Sequence, residues 1–129
     1  MLSKGIQGKH NITVTEEITA KSVRSGELPV LATPAMIALA ERTAYESVSS
    51  YLEEGEGTVG TLINIKHLAP TPIGMTVECT SVLREIDGRR LVFDITVRDE
   101  KETIGAGVHE RFVIKNERFM EKALSKKNI

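Results

Sequence analysis

Thr33 to Leu52, TPAMIALAERTAYESVSSYL, is a long helical stretch, and after it the chain reads as strand almost to its end. Thr-Pro is a strong helix start, with Thr33 as the N-cap and Pro34, which needs no N–H bond, at the first helical position. Gly55 and Gly57 mark its stop. At 100° per residue, Met36, Ile37, Ala40, Ala44, Tyr45, Val48, Tyr51 and Leu52 fall on one wide apolar face, and Arg42, Glu46, Ser49 and Ser50 fall on the solvent side. Before the helix, ITVTEEIT (12–19) mixes β-branched and polar residues as a half-exposed strand does.

Four β runs follow the helix. The first covers about 58–68 and ends at Pro70, Pro72 and Gly74, residues that cannot continue a central ladder. The second runs over 75–86 to Asp87-Gly88, read as a two-residue hairpin turn. In the third, 90–98, Leu91, Phe93, Ile95 and Val97 alternate with polar or smaller residues, so one face is core. Ile104, Ala106, Val108, Phe112 and Ile114 mark the fourth, and 117–127 suit a short basic helix. Strand, long helix and four hairpin-linked strands make an α+β domain, one antiparallel sheet packed on a single helix. With 129 residues there is room for one such domain, with a core over about 11–115.

Composition excludes several function classes. Seventeen Lys and Arg against eighteen Asp and Glu leave a formal net charge of −1, with no chain-wide pull toward nucleic acid or an anionic membrane. The longest uninterrupted apolar run, Ala35 to Ala40, is far short of the roughly 20 residues that span a bilayer. A single Cys cannot form an intrachain disulfide, and the three His show no zinc-ligand spacing, so neither a metal nor a cofactor is expected. MLSKGIQGKH lacks the apolar stretch of a secretion signal, which makes the cytoplasm the expected location.

Two ionisable residues interrupt apolar surfaces. Glu41 lies within the apolar arc of the helix, near Ile37, Tyr45 and Val48, although the helix has polar positions to spare; a charge there needs a partner, a proton or a cleft. In the first strand after the helix, His67 shares a face with Val59, Thr61, Ile63 and Ile65. The helix and this strand share one core, so Glu41 and His67 could meet as an acid/base pair. Thr33 has a sufficient structural role as a cap, but the N–H groups of Ala35 and Met36 beside it suit a developing oxyanion. Cys79 reads as a small core residue, His109 as exposed, and Glu110 as an interruption of the apolar face that needs a partner. His10 falls in the N-terminal tail, and Arg89, Arg90, Arg111, Lys115 and Arg118 read as phosphate binders or, as scattered basic residues more commonly are, as a solvated face.

The segments LATPAMIALAE, GTVGTLINIKHLAPTPIGM and GAGVHERFVI, in this order and spacing, resemble the hotdog-fold thioesterases and, within them, the fluoroacetyl-CoA thioesterase-like group. The resemblance runs from about Leu31 to Phe119. It implies a sheet wrapped around one central helix, at least a homodimer with sites at the subunit interface, and hydrolysis of an acyl-CoA, with coenzyme A present only as part of the substrate. By the same resemblance Thr33, Glu41 and His67 act on the thioester, and Gly60 approaches the acyl group through its N–H. The group's aromatic-rich lid has no counterpart in SVRSGELPVLA (22–32), so fluoroacyl selectivity is not implied with it. Two other activities of hotdog domains, dehydration of 3-hydroxyacyl thioesters and acyl-CoA binding without catalysis, are the alternatives.

Overall fold

A computed structural model describes residues 1–128. β1 (Gln7–Thr13) leads through a 3-10 turn (Glu16–Ile18) and a one-turn helix, α1 (Ala20–Val23), into α2 (Thr33–Ser49). Then come β2 (Glu56–His67), β3 (Thr76–Asp87), β4 (Arg90–Arg98), β5 (Thr103–Lys115) and a final helix, α3 (Asn116–Ser125). The five strands form one sheet in the order β1-β3-β4-β5-β2, every pair antiparallel. α2 touches all five, so the sheet curls around it. No helix of the described residues is long and apolar enough to cross a membrane.

The buried side of α2 is Met36, Leu39, Ala40, Thr43, Ala44 and Val48. It packs against Val77, Cys79 and Leu83 of β3 and Leu91, Phe93, Ile95 and Val97 of β4, all at most 2% exposed. Each large apolar side chain buried this way contributes about 1.5–3 kcal/mol, which is why the alternation of β4 is legible in sequence. Thr43 can lie in that layer because its hydroxyl donates to the Leu39 carbonyl at 2.7 Å. β1 crosses α2 closely at Gly8, where a Cβ would stand 2.7 Å from Ser47 Cβ.

Local chemistry moves several expected boundaries. The first strand is Gln7–Thr13 rather than 12–19, pairing along its length with β3 and alternating exposed and half-buried residues; His10 therefore sits in a strand, 3.0 Å from Glu46, and not in a tail. The helix ends at Ser49, and a turn follows. In the β3–β4 hairpin Asp87 pairs with Arg90, so the turn residues are Gly88-Arg89, with Gly88 at φ +61° as a type II′ turn requires.

Two bulges have larger consequences. Thr61 is the extra residue between the pairs Gly60–Arg111 and Leu62–Glu110, and Ile104 is the extra residue between Val97–Gly105 and Arg98–Thr103. An inserted residue reverses the faces of everything beyond it. In β5 the inward series is therefore Gly105, Gly107, His109, Arg111 and Val113, while Val108, Glu110 and Phe112 face outward. Val59 leaves the face of Ile63, Ile65 and His67 for the same reason, since its partner is Phe112.

Candidate active site

Thr33 does not cap its helix. Ala32 is the N-cap and no side chain caps the end, so Thr33 and Pro34 occupy the first two helical positions. The Thr33 hydroxyl instead lies 2.7 Å from His67 Nδ1. The chain before it fixes this arrangement: Leu31 N–H donates to the Thr71 carbonyl, Ala32 N–H to the Ile18 carbonyl, and Leu68 N–H to the Ile104 carbonyl. The helix start and the end of β2 are thereby tied to the same corner of the sheet.

His67 Nε2 is buried without a hydrogen-bond partner. Such an atom calls for an explanation, and a reactive or ligand-binding role is one. Burial pulls the His67 pKa below its ordinary value, opposed by the Ala69 backbone, which favours a neutral ring near pH 7. Thr33 and His67 open onto a cavity of about 330 Å³ whose walls include Ala20, Ser25, Val30, Leu31, Leu68 and Pro70. Residues 22–32 thus supply part of the cavity wall, and they carry no aromatic side chain.

The helix N-terminus offers one of the two N–H groups expected of it. Met36 N–H donates to the Ala32 carbonyl at 3.0 Å and its side chain is fully buried, so Met36 is withdrawn as an oxyanion donor. Ala35 N–H has no acceptor among the described residues.

Glu41 lies elsewhere. Its Oε2 is 3.9 Å from Arg111 Nη1, and its side chain is 43% exposed, so it is not sealed in the core. It rests on Gly60: a Cβ there would stand 2.8 Å from Glu41 Oε2, 3.3 Å from His109 Cε1 and 3.4 Å from Arg111 Nη1. No hydrogen bond joins Glu41 to Thr33 or His67 among the described residues. The structure pairs Thr33 with His67 and Glu41 with Gly60, and does not assemble the expected group of three within one chain.

The surroundings of Glu41 hold residues that sequence reasoning placed wrongly. His109 is fully buried, not exposed, and Arg111 is 6% exposed, not part of a solvated face. The Ile104 bulge turned both inward. His109 Nδ1 is 2.9 Å from the Leu62 carbonyl and Nε2 is 3.2 Å from Arg111 Nη1. A carbonyl can only accept and a guanidinium can only donate, so His109 is neutral with its proton on Nδ1. Burial and, more weakly, Arg111 hold its pKa below the ordinary value, against the Leu62 carbonyl, Glu41 and Glu110. Glu110 faces outward and finds its expected partner in Arg90, through bonds of 2.8 and 3.2 Å. Cys79 is a core thiol whose pKa is raised by burial. The available sequence signal for His109 and Arg111 was the pair Gly105 and Gly107 at the same parity, where no side chain could compete for the helix-facing side.

The family described as FlK, fluoroacetyl-CoA-specific thioesterase, matches residues 14–117. The chain belongs to this family. Its curated relative from Streptantibioticus cattleyicolor, a fluoroacetyl-CoA thioesterase, is 42% identical over 107 residues, covering 82% of this chain and 77% of the relative. The crystal structure of the fluoroacetyl-CoA thioesterase FlK superposes with a TM-score of 0.92 at 36% identity, covering 98% of both chains. A thioesterase-superfamily protein from Thermus thermophilus gives 0.90 at 25% identity, covering 98% of this chain and 93% of that one. The five-stranded sheet around α2 is the hotdog fold, and this FlK-family chain is a thioester hydrolase.

Proposed function

We propose that the protein hydrolyses a small or medium acyl-CoA to the free acid and CoA, in sites that each combine Thr33 and His67 of one subunit with Glu41 and Gly60 of its partner. The observation that carries this reading is the division of the site residues between two places on one chain. Thr33 and Glu41 are eight residues apart on one helix, or roughly 12 Å of axial rise, and Gly60 and His67 are separated by roughly 20 Å of strand. A thioester carbon cannot meet both ends within one subunit. Two antiparallel α2 helices crossing near a twofold axis bring the start of one beside the middle of the other. β2 is an edge strand with exposed Leu62 and Ile63, as an assembling surface would have.

In that site the thioester carbonyl oxygen is held by the Ala35 N–H and the Thr33 hydroxyl. The Glu41 carboxylate carries the attack, either by taking a proton from the water that adds to the carbonyl carbon or by adding directly to form an anhydride that water opens. His67, neutral and with an Nε2 lone pair free, takes up the proton that the water gives up and delivers it to the CoA thiolate released as the carbon–sulfur bond breaks. No metal or cofactor enters, and the setting is a cytoplasmic homodimer. Thiol release from a panel of acyl-CoA esters, with chelator present, tests the reading. Release from at least one short ester is expected, and binding of CoA esters without release from any of them contradicts it.

A further inference from the structure

Arg111 has no part in the chemistry above, yet among the described residues it is the one Lys or Arg that is buried. Its side chain is 7% exposed. Nε donates to Thr58 Oγ1 and Nη2 to the Thr58 carbonyl, both at 2.8 Å, and Nη1 donates to His109 Nε2 at 3.2 Å. The ring of Tyr45, one turn beyond Glu41 on α2, lies 5.6 Å from its central carbon. With these groups around it, the guanidinium cannot swing, and its Nη1 edge faces Glu41.

We propose that Arg111 is a positioning residue for Glu41, holding the carboxylate over Gly60 by charge while leaving its oxygens unbonded. The 3.9 Å separation is the informative feature. A bidentate Arg–carboxylate pair at hydrogen-bond distance would occupy the lone pairs that a base or nucleophile must use. At 3.9 Å the attraction remains and the lone pairs stay free. The distance is set from behind, because Thr58 and the tautomer-locked His109 prevent Arg111 from advancing. Gly60 supplies the other half of the arrangement, since any Cβ there would push Glu41 Oε2 from its place.

The inference rests on the catalytic reading of Glu41 and is separable from it by experiment. In the full-length enzyme, Arg111→Gln should lower kcat by about 100-fold, the scale of a misplaced reacting group, while KM for the acyl-CoA changes little. Arg111→Lys, which keeps the charge but not the three anchoring bonds, should recover part of that loss. Thr58→Val should show a smaller loss in kcat, again with KM unchanged. If Arg111→Gln does not fold, the Lys and Thr58→Val variants decide. Folded variants with kcat at the parent level overturn the inference, and so does a loss confined to KM. An active Glu41→Gln enzyme would instead overturn the reading of Glu41 itself, so the two failures are distinguishable.

Discussion

The two ends of the site are built in opposite ways. Thr33 and His67 form a corner of two side chains joined by one short hydrogen bond, beside a cavity, with a ring nitrogen left over. Glu41 belongs to a crowded layer in which Arg111, His109, Thr58 and Tyr45 restrain one another and a glycine makes the opening. The first arrangement is suited to groups that accept and pass protons, the second to holding one charge in place. On the proposed reading, a reaction that needs both brings them together from different copies of α2.

The largest expected effect breaks the Glu41 half. Glu41→Gln should lower kcat by about 100- to 10,000-fold, as loss of a general base or nucleophile does, with only a small change in melting temperature, because the carboxylate is 43% exposed and 3.9 Å from Arg111. Near-normal turnover in that variant would reduce Glu41 to a structural residue. Gly60→Ala is a milder test on the same side. Its methyl group displaces the flexible end of Glu41, so kcat should fall by about 10- to 100-fold while the fold persists. An unchanged kcat would show that the close packing of Glu41 on Gly60 is not needed.

Next is the pH response, which separates the two histidines. Both have pKa values depressed by burial, so below about pH 6.5 the unfolded chain binds protons that the native chain resists. Stability from these groups is full above that pH and is lost as pH falls through the window toward their folded values. Melting temperature should therefore drop between about pH 7 and pH 5, and His109→Gln should flatten this dependence more than His67→Gln, because a proton on His109 Nε2 would also oppose Arg111. The parent and variant curves should differ in slope; parallel curves would contradict the assignment.

The smallest effect concerns selectivity at the Thr33 end. With no aromatic side chain in the cavity wall, kcat/KM for fluoroacetyl-CoA and acetyl-CoA should differ by less than about 100-fold, the range one small substituent commands in a simple pocket. A larger ratio would locate selectivity near Gly60.

How far each end was legible in sequence follows from its local chemistry. β4 shows its faces openly because it alternates without interruption, and α2 shows its apolar face because 3.6-residue periodicity is robust. Glu41 and His67 stood out as breaks in those patterns. Arg111 and His109 did not, because β5 carries polar residues at both parities and a single bulged residue, Ile104, decides which parity turns inward. Thr33 reads as a cap as well as a site residue because Thr-Pro is a common helix start; in the structure its hydroxyl meets His67, 34 residues away, a contact that local sequence cannot report. That Glu41 stands apart from Thr33 within one chain follows from helix rise alone.

Subunit mixing tests the composition of the site most directly. Inactive Thr33→Val and Glu41→Gln subunits, unfolded together and reassembled at random, should give about half mixed dimers, each with one doubly altered site and one intact site. Sites shared between subunits then restore about a quarter of parent activity. No recovery, with mixed dimers demonstrated and each parent variant inactive, would place Thr33 and Glu41 in the same subunit's site and contradict the account.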